Sequence, residues 1–180
     1  WRDAGWTNAK VAINVSAQQF ISGDFLADVE RLLELHGLPP DAIELELTEN
    51  MLQTGAITVE TLRALRMMGI MTALDDFGTG YSSLSALQQF PIGTLKIDQS
   101  FVRNVGEDEN DATIVRTIIE MGRNLGMDVI AEGIESVKHL DFLRSRHCNF
   151  GQGRLFGETL TADDLRMLML RQESGIIPYA

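Results

Sequence analysis

Apolar and polar positions along the chain follow two periods in turn, and the alternation predicts strands and helices one after another. Val11–Ser16 is a short β-branched run, and Ile43–Thr48 (IELELT) alternates apolar with polar residues as a half-buried strand does. Between them, Phe25–Leu35 carries apolar residues at helical spacing. It ends at His36-Gly37-Leu38-Pro39-Pro40, a glycine past the helix with proline behind it. Ile57–Met68 reads as a helix with Leu62, Leu65 and Met68 along one side, stopped by Gly69. Met71–Leu74 reads as a strand running into Asp75-Asp76, Leu84–Leu87 as a short helical piece, and Thr94–Asp98 (TLKID) as a strand. The clearest helix is Ala112–Leu125, where Val115, Ile118, Ile119, Gly122 and Leu125 fall at helical spacing before Gly126. Met127–Ala131 then reads as a strand, Val137–Leu143 as a helix and Phe150–Phe156 as a glycine-broken strand. Leu165–Leu170 closes with a helix, and Ser174–Ala180 is a loose tail.

Six strand-then-helix units in 180 residues leave about 30 residues for each. Such alternation predicts a parallel sheet with helices packed on it. An open doubly wound sheet and a closed eight-stranded barrel compete. A barrel takes about 250 residues, so on that reading the chain lacks an early part.

Composition narrows the classes. At 44% hydrophobic and 23% charged, this is a globular chain of one-domain length with no apolar run long enough to cross a bilayer. It opens on Trp1 and shows no secretory leader, so it is expected to begin inside a longer protein. A single cysteine, Cys148, excludes a disulfide framework and a cysteine-rich zinc site. The net charge of −11 argues against DNA or RNA binding, which needs a basic surface. It still admits a phosphate ligand, because a carboxylate-bound metal reverses the local sign.

The polar residues without an evident structural role collect where strands finish. They are Asn14; Glu44, Glu46 and Glu49; Asp75 and Asp76; Lys96 and Asp98; Glu132 and Glu135; and Gln152. Parallel α/β folds bind ligands at the carboxyl ends of strands, so residues distant in sequence meet there. Any single strand-end acid serves equally well as a helix cap. A group of four or five carboxylates, however, needs a cation, and hard oxygen ligands point to Mg²⁺, Mn²⁺ or Ca²⁺. His36, His139 and His147 read as helix-end or surface residues. Successive strand residues point to opposite faces, yet Gly78 and Gly80 behind Asp75-Asp76 let the backbone turn so that both acids reach one mouth. One aspartate can then bridge two metals about 3.5–4 Å apart, the arrangement used for in-line displacement at phosphorus.

At these residues the chain resembles the EAL-domain family of bacterial cyclic-di-GMP phosphodiesterases. The matching strings are NVSAQQF (Asn14–Phe20), ELTEN (Glu46–Asn50), LDDFGTGYSSL (Leu74–Leu84), LKIDQSFV (Leu95–Val102), AEGIES (Ala131–Ser136) and GQGRLFG (Gly151–Gly157). The resemblance implies a modified (βα)8 TIM-like barrel over residues 1–173, with the N-terminal strand and helix absent from this chain. It implies hydrolysis of one phosphodiester of cyclic di-GMP to linear pGpG with two Mg²⁺ or Mn²⁺ ions. Asn14 and Glu46 then look like ligands of the first metal, Asp75 like the bridging ligand, and Asp76 and Glu132 like ligands of the second. Lys96 resembles the lysine that faces the attacking water or the developing charge, and Gln152 the glutamine near that water. Glu49 looks like the acid anchoring loop 76–83, and Glu135 like a supporting acid beside the second metal. A homodimer with contacts near Leu84 and Leu87, a flanking GGDEF or sensory domain, and a cytoplasmic location are further implications.

The sequence departs from the family in two ways. No Glu-Ala-Leu tripeptide occurs, so a first-metal glutamate is missing from these residues. Gly93, Arg154 and Gly157 stand where many members carry Asp, Tyr and Ser. A catalytically silent receptor for cyclic di-GMP is therefore the competing function.

Three lures fall away. Gly151-Gln152-Gly153 would need glycine rather than Phe156 to make a dinucleotide fingerprint. Ser82-Ser83 lacks the hydrolase elbow, and Cys148 is near no catalytic histidine signature. The acidic run Gly106–Asp111 reads as a turn whose Asn110 or Asp111 caps the long helix.

Overall fold

A computed structural model describes residues 2, 5–7, 9–20, 23–54, 56–80 and 87–173. Six strands form one parallel sheet in the order in which they occur: β1 (Val11–Asn14), β2 (Ile43–Thr48), β3 (Met71–Phe77), β4 (Thr94–Ile97), β5 (Asp128–Ala131) and β6 (Phe150–Gly151). The helices are α1 (Ala17–Phe20), α2 (Phe25–His36), α3 (Ala56–Met68), α4 (Gln99–Val102), α5 (Glu109–Asn124), α6 (Val137–Ser145) and α7 (Ala162–Glu173). A doubly wound sheet reverses strand order at a switch point, and this sheet does not. With right-handed crossovers throughout, sequential order puts the helices on one face and curls the sheet. The result is a half-barrel, and β1 and β6 are its two edges.

The alternation in each strand decides what the two faces carry. In β2, Ile43, Leu45 and Leu47 point one way and join the core with Leu74 of β3, Leu95 and Ile97 of β4, and Val129 of β5. Leu62 and Leu65 of α3, Val115, Ile118 and Ile119 of α5, and Leu143 of α6 complete that core. Each such side chain contributes about 1.5–3 kcal/mol by leaving water. The opposite face is polar. Glu44 accepts a hydrogen bond from the Thr94 hydroxyl at 2.7 Å, and Glu46 meets Lys96 at 2.7 Å, which places the even positions of β2 and β4 together.

The expected elements recur with shifted ends. Gly37 closes α2 in the left-handed region (φ 60°), its N–H bonding back to Glu34 and Leu33. β3 runs three residues beyond Leu74, because Asp75 still pairs with Thr48. Helix α5 begins at Glu109, and its cap is Asp108, which accepts from the N–H groups of Asn110 and Asp111. This corrects the expectation that Asn110 or Asp111 was the cap. β6 is only two residues long, since Gly153 and the following turns leave the ladder. The helical piece expected at Leu84–Leu87 lies outside the described residues except for the buried Leu87, and the tail 174–180 lies outside them as well. No described helix is long and apolar enough to cross a membrane.

Candidate functional site

The polar face converges on Lys96. Its ammonium donates to Glu46 Oε1 at 2.7 Å, Asp75 Oδ1 at 3.0 Å and Glu132 Oε1 at 2.7 Å, so β2, β3, β4 and the end of β5 each bring one group. The side chains are 6%, 9%, 13% and 15% exposed for Lys96, Glu46, Asp75 and Glu132. Burial disfavours the Lys96 charge, but its hydrogen bonds to Glu132, Glu46 and Asp75 outweigh this and hold its pKa above the usual lysine range. The Glu132 pKa also rises, which for an acid favours the neutral form. Burial raises its pKa, Lys96 only partly opposes this, and the charges of Asp75 and Glu46 add to the rise.

The turn that gathers the two aspartates lies at Asp76 itself rather than at the glycines behind it. Asp76 has φ 54°, and the β3–β4 register shifts between Leu74 and Phe77. That irregularity breaks the strand alternation. One oxygen from each of Asp75, Asp76 and Glu132 then lies within 4.8 Å of the others, the spacing of a shared cation. Burial raises the Asp76 pKa, and so do the charges of Asp75 and Asp98 and a side-chain hydrogen bond with Asp98. Asp98 also caps α4 by accepting from Ser100 N–H at 2.9 Å. The sequence placed Asp98 among the strand-end acids and gave it no role. Its spacing of two from Lys96 was the available signal, since it put both on one strand face.

The remaining residues fall around this centre. Asn14 pairs in register with Glu46 on the exposed edge strand. Gln152 donates from Nε2 to Glu132 Oε1 at 2.7 Å, while its backbone N–H bonds Ala131. Gly153 makes that placement possible. A Cβ there would stand 2.2 Å from the Ile134 carbonyl oxygen, so the GQG string is a close backbone crossing rather than a dinucleotide loop. Glu49 Oε2 accepts the backbone N–H groups of Gly78 and Gly80 at 3.1 and 3.0 Å, immediately after the paired aspartates. Glu135 stands apart from the Asp75–Asp76–Glu132 group. Its carboxylate lies 3.6 Å from Arg103 and 3.7 Å from Arg154. Residues 81–86, which include Ser82, Ser83 and Leu84, lie outside the described residues.

The donor set of Asp75, Asp76 and Glu132 is all carboxylate oxygen, which suits a hard divalent cation. Comparison with known proteins agrees in kind. The EAL domain family profile matches residues 1–159. The chain belongs to the EAL domain family. Over 166 residues it is 38% identical to the bifunctional diguanylate cyclase/cyclic di-GMP phosphodiesterase MucR of Pseudomonas aeruginosa, covering 92% of this chain and 24% of that protein. The structure of the MucR phosphodiesterase in complex with c-di-GMP superposes with a TM-score of 0.88 at 38% identity, covering 92% of this chain and 67% of that one. The EAL domain of Mycobacterium smegmatis DcpA gives a TM-score of 0.89 at 34% identity, covering 99% and 79%. A manganese and cyclic-di-GMP complex of Klebsiella pneumoniae BlrP1 gives 0.77 at 32% identity, covering 86% and 41%. This EAL domain chain spans about a fifth to a quarter of the length of the curated relatives it matches.

Proposed function

We propose that this EAL domain carries the active site of a phosphodiesterase that opens one phosphodiester of cyclic di-GMP to linear pGpG. The observation that supports it most is the Lys96-centred acid group. Glu46, Asp75, Asp76 and Glu132 against Lys96 leave three negative charges in excess, and Asp98 makes four. One divalent ion leaves that site anionic toward a phosphodiester. Two ions balance it, and the proposed cofactors are therefore two Mg²⁺ or Mn²⁺ ions. Asn14 and Glu46 would hold the first, Asp76 and Glu132 the second, with Asp75 between them. Bound there, such ions lower the pKa of a ligating water and offset charge on the phosphate.

The chain's own groups do the rest. Lys96 stays protonated and directs its charge into the pocket, where it stabilises the phosphorane as charge develops. Gln152 fixes the Glu132 carboxylate by hydrogen bonding, and Glu49 fixes the chain just beyond Asp76. The domain assignment is one EAL unit over 1–173 followed by a tail. A homodimer and a neighbouring GGDEF or sensory domain are proposed for the whole protein, in the cytoplasm, with no nucleic-acid partner.

A silent cyclic-di-GMP receptor is the second reading. It is favoured by the small size of the tight ligand group, three acids among the described residues. The full-length protein is incubated with cyclic di-GMP and Mg²⁺ or Mn²⁺, and products are separated by chromatography. Appearance of pGpG supports hydrolysis. Retained binding without product overturns it and supports the receptor.

A further inference from the structure

Asp76 and Glu132 leave the ends of β3 and β5, two strands that do not pair with each other because β4 lies between them. The ladder does not set the gap between their carboxylates. The β3–β4 register is broken at Asp76, and Glu132 lies just past the end of β5. Ile97, the last residue of β4, pairs with Phe77 on one side and with Ala131 on the other. The helix that follows, α4, therefore starts between the two acid-bearing turns. It is four residues long and touches both. On the β3 side, its cap Asp98 shares a side-chain hydrogen bond with Asp76. The ring of Phe101 lies against Gly78, where a Cβ would stand 2.8 Å from Cε2 and 3.4 Å from Cζ. On the β5 side, Gln99 lies against Gly133, the residue after Glu132. A Cβ there would stand 2.6 Å from the Gln99 Cβ and 3.2 Å from its Cα.

Both contacts are close enough to transmit a displacement of one side to the other. Both also fall one or two residues past an acid of the centre. Neighbouring carboxylates repel one another without a cation, and metal ligands keep their geometry through the groups packed around them. Core filling alone does not account for the arrangement, since Phe101 is only half-buried and Gln99 is exposed. The inference rests on the divalent-ion reading of the acid centre: we propose that α4 is a spacer that presets Asp76 and Glu132 for an ion, with Phe101 and Gln99 as its positioning residues. Phe101 acts on Asp76 through Gly78, and Gln99 acts on Glu132 through Gly133.

The test is Mn²⁺ calorimetry on the full-length protein without nucleotide, paired with thermal melts in chelator. The binding heat that Asp76→Asn removes marks this centre. Phe101→Leu keeps apolar bulk but loses the ring edge against Gly78, and it weakens Mn²⁺ at this centre about tenfold. Phe101→Ala weakens it further. Gly133→Ala drives a methyl into Gln99 and gives a loss of similar size. Gln99→Gly in that background removes the opposing Cβ and recovers part of the affinity. Leu143→Val, a trimmed core side chain of α6, lowers the melting temperature and leaves the Mn²⁺ constant unchanged. A Phe101→Leu variant that melts lower but binds Mn²⁺ like the native protein makes Phe101 core filler and overturns the proposal. A Gly133→Ala loss that Gln99→Gly does not relieve overturns the Gln99 role. Native protein that binds Mn²⁺ here but forms no pGpG overturns the hydrolytic reading while the spacer stands. Native protein whose Mn²⁺ titration matches that of Asp76→Asn overturns both.

Discussion

The carboxylate of Glu49 accepts the backbone N–H of Gly80 at 3.0 Å across 31 positions of sequence, and a Cβ on Gly80 would stand 2.9 Å from the Glu49 Cδ. The same oxygen takes the N–H of Gly78, so one buried acid ties down the chain that leaves Asp75-Asp76. Charge-assisted bonds of this kind are worth about 1.5–3 kcal/mol each. Once they are lost, the freed N–H groups turn to water, and the cost falls on the position of the aspartates more than on the core. Glu49→Ala is expected to lower turnover by at least about tenfold, while the far-UV spectrum stays native. An unchanged rate refutes the anchoring role.

Among the described residues, Lys96 is the one cation paired with the buried Glu46 and the half-buried Asp75 and Glu132. Removing one partner from such a group costs about 3–5 kcal/mol. Lys96→Met is expected to lower the melting temperature by about 10 °C without divalent ions, and Mn²⁺ is expected to restore part of that loss. Because the folded pKa of Lys96 is raised, its contribution is fully present below the ordinary lysine value. It is lost only as pH rises through the higher folded one. The gap between native and variant should therefore stay flat from about pH 6 to 9. A gap that closes within that range contradicts the ion cluster.

Glu132 has the same sign in a lower pH window. Its folded pKa lies above the unfolded value, so the native state binds the proton more tightly and metal-free stability falls as pH rises between the two values. Glutamine mimics the protonated acid. Metal-free Glu132→Gln is expected to be more stable than the native protein at neutral pH, with the difference shrinking as pH falls into the carboxylate range. Excess Mn²⁺ should reverse the order, since only the native protein gains a ligated ion. Thermal melts across pH, with and without Mn²⁺, decide this.

Gly153→Ala places a methyl against the backbone of Ile134, which has little room to move. The crossing must open, and Gln152 leaves Glu132. The expected result is loss of turnover by more than about tenfold, together with about 1–3 kcal/mol of destabilisation from overpacking. Gln152→Ala should reproduce the first effect without the second. If Gly153→Ala melts and turns over like the native protein, the crossing is not what holds Gln152.

Much of this was legible because strand alternation is a strong local signal. Ile43, Leu45 and Leu47 against Glu44 and Glu46 fixed both faces of β2, and Leu95 and Ile97 against Thr94 and Lys96 did the same for β4. The acids could be pooled from topology alone, since parallel strands end on one side. What local pattern does not encode is an irregularity. The left-handed Asp76 breaks the period at the site, and ordinary propensity does not announce it. Side-chain reach is equally hidden. Nothing in AEGIES says that Glu135 turns toward Arg103, 32 positions earlier, rather than toward Glu132. The cap of α5 lies two or three residues earlier than expected because GEDEND holds several good capping residues, and tertiary context chose Asp108.

In the proposed chemistry Asp75 stands between two divalent ions and hydrolysis depends on them. The direct measurement is pGpG formation from cyclic di-GMP by the full-length protein as Mn²⁺ is titrated, for the native sequence and for Asp75→Asn. No product is expected in chelator, with a rise that saturates with Mn²⁺ and a loss of at least about a hundredfold in the variant. Product formed in chelator, or an Asp75→Asn rate equal to the native one, contradicts it.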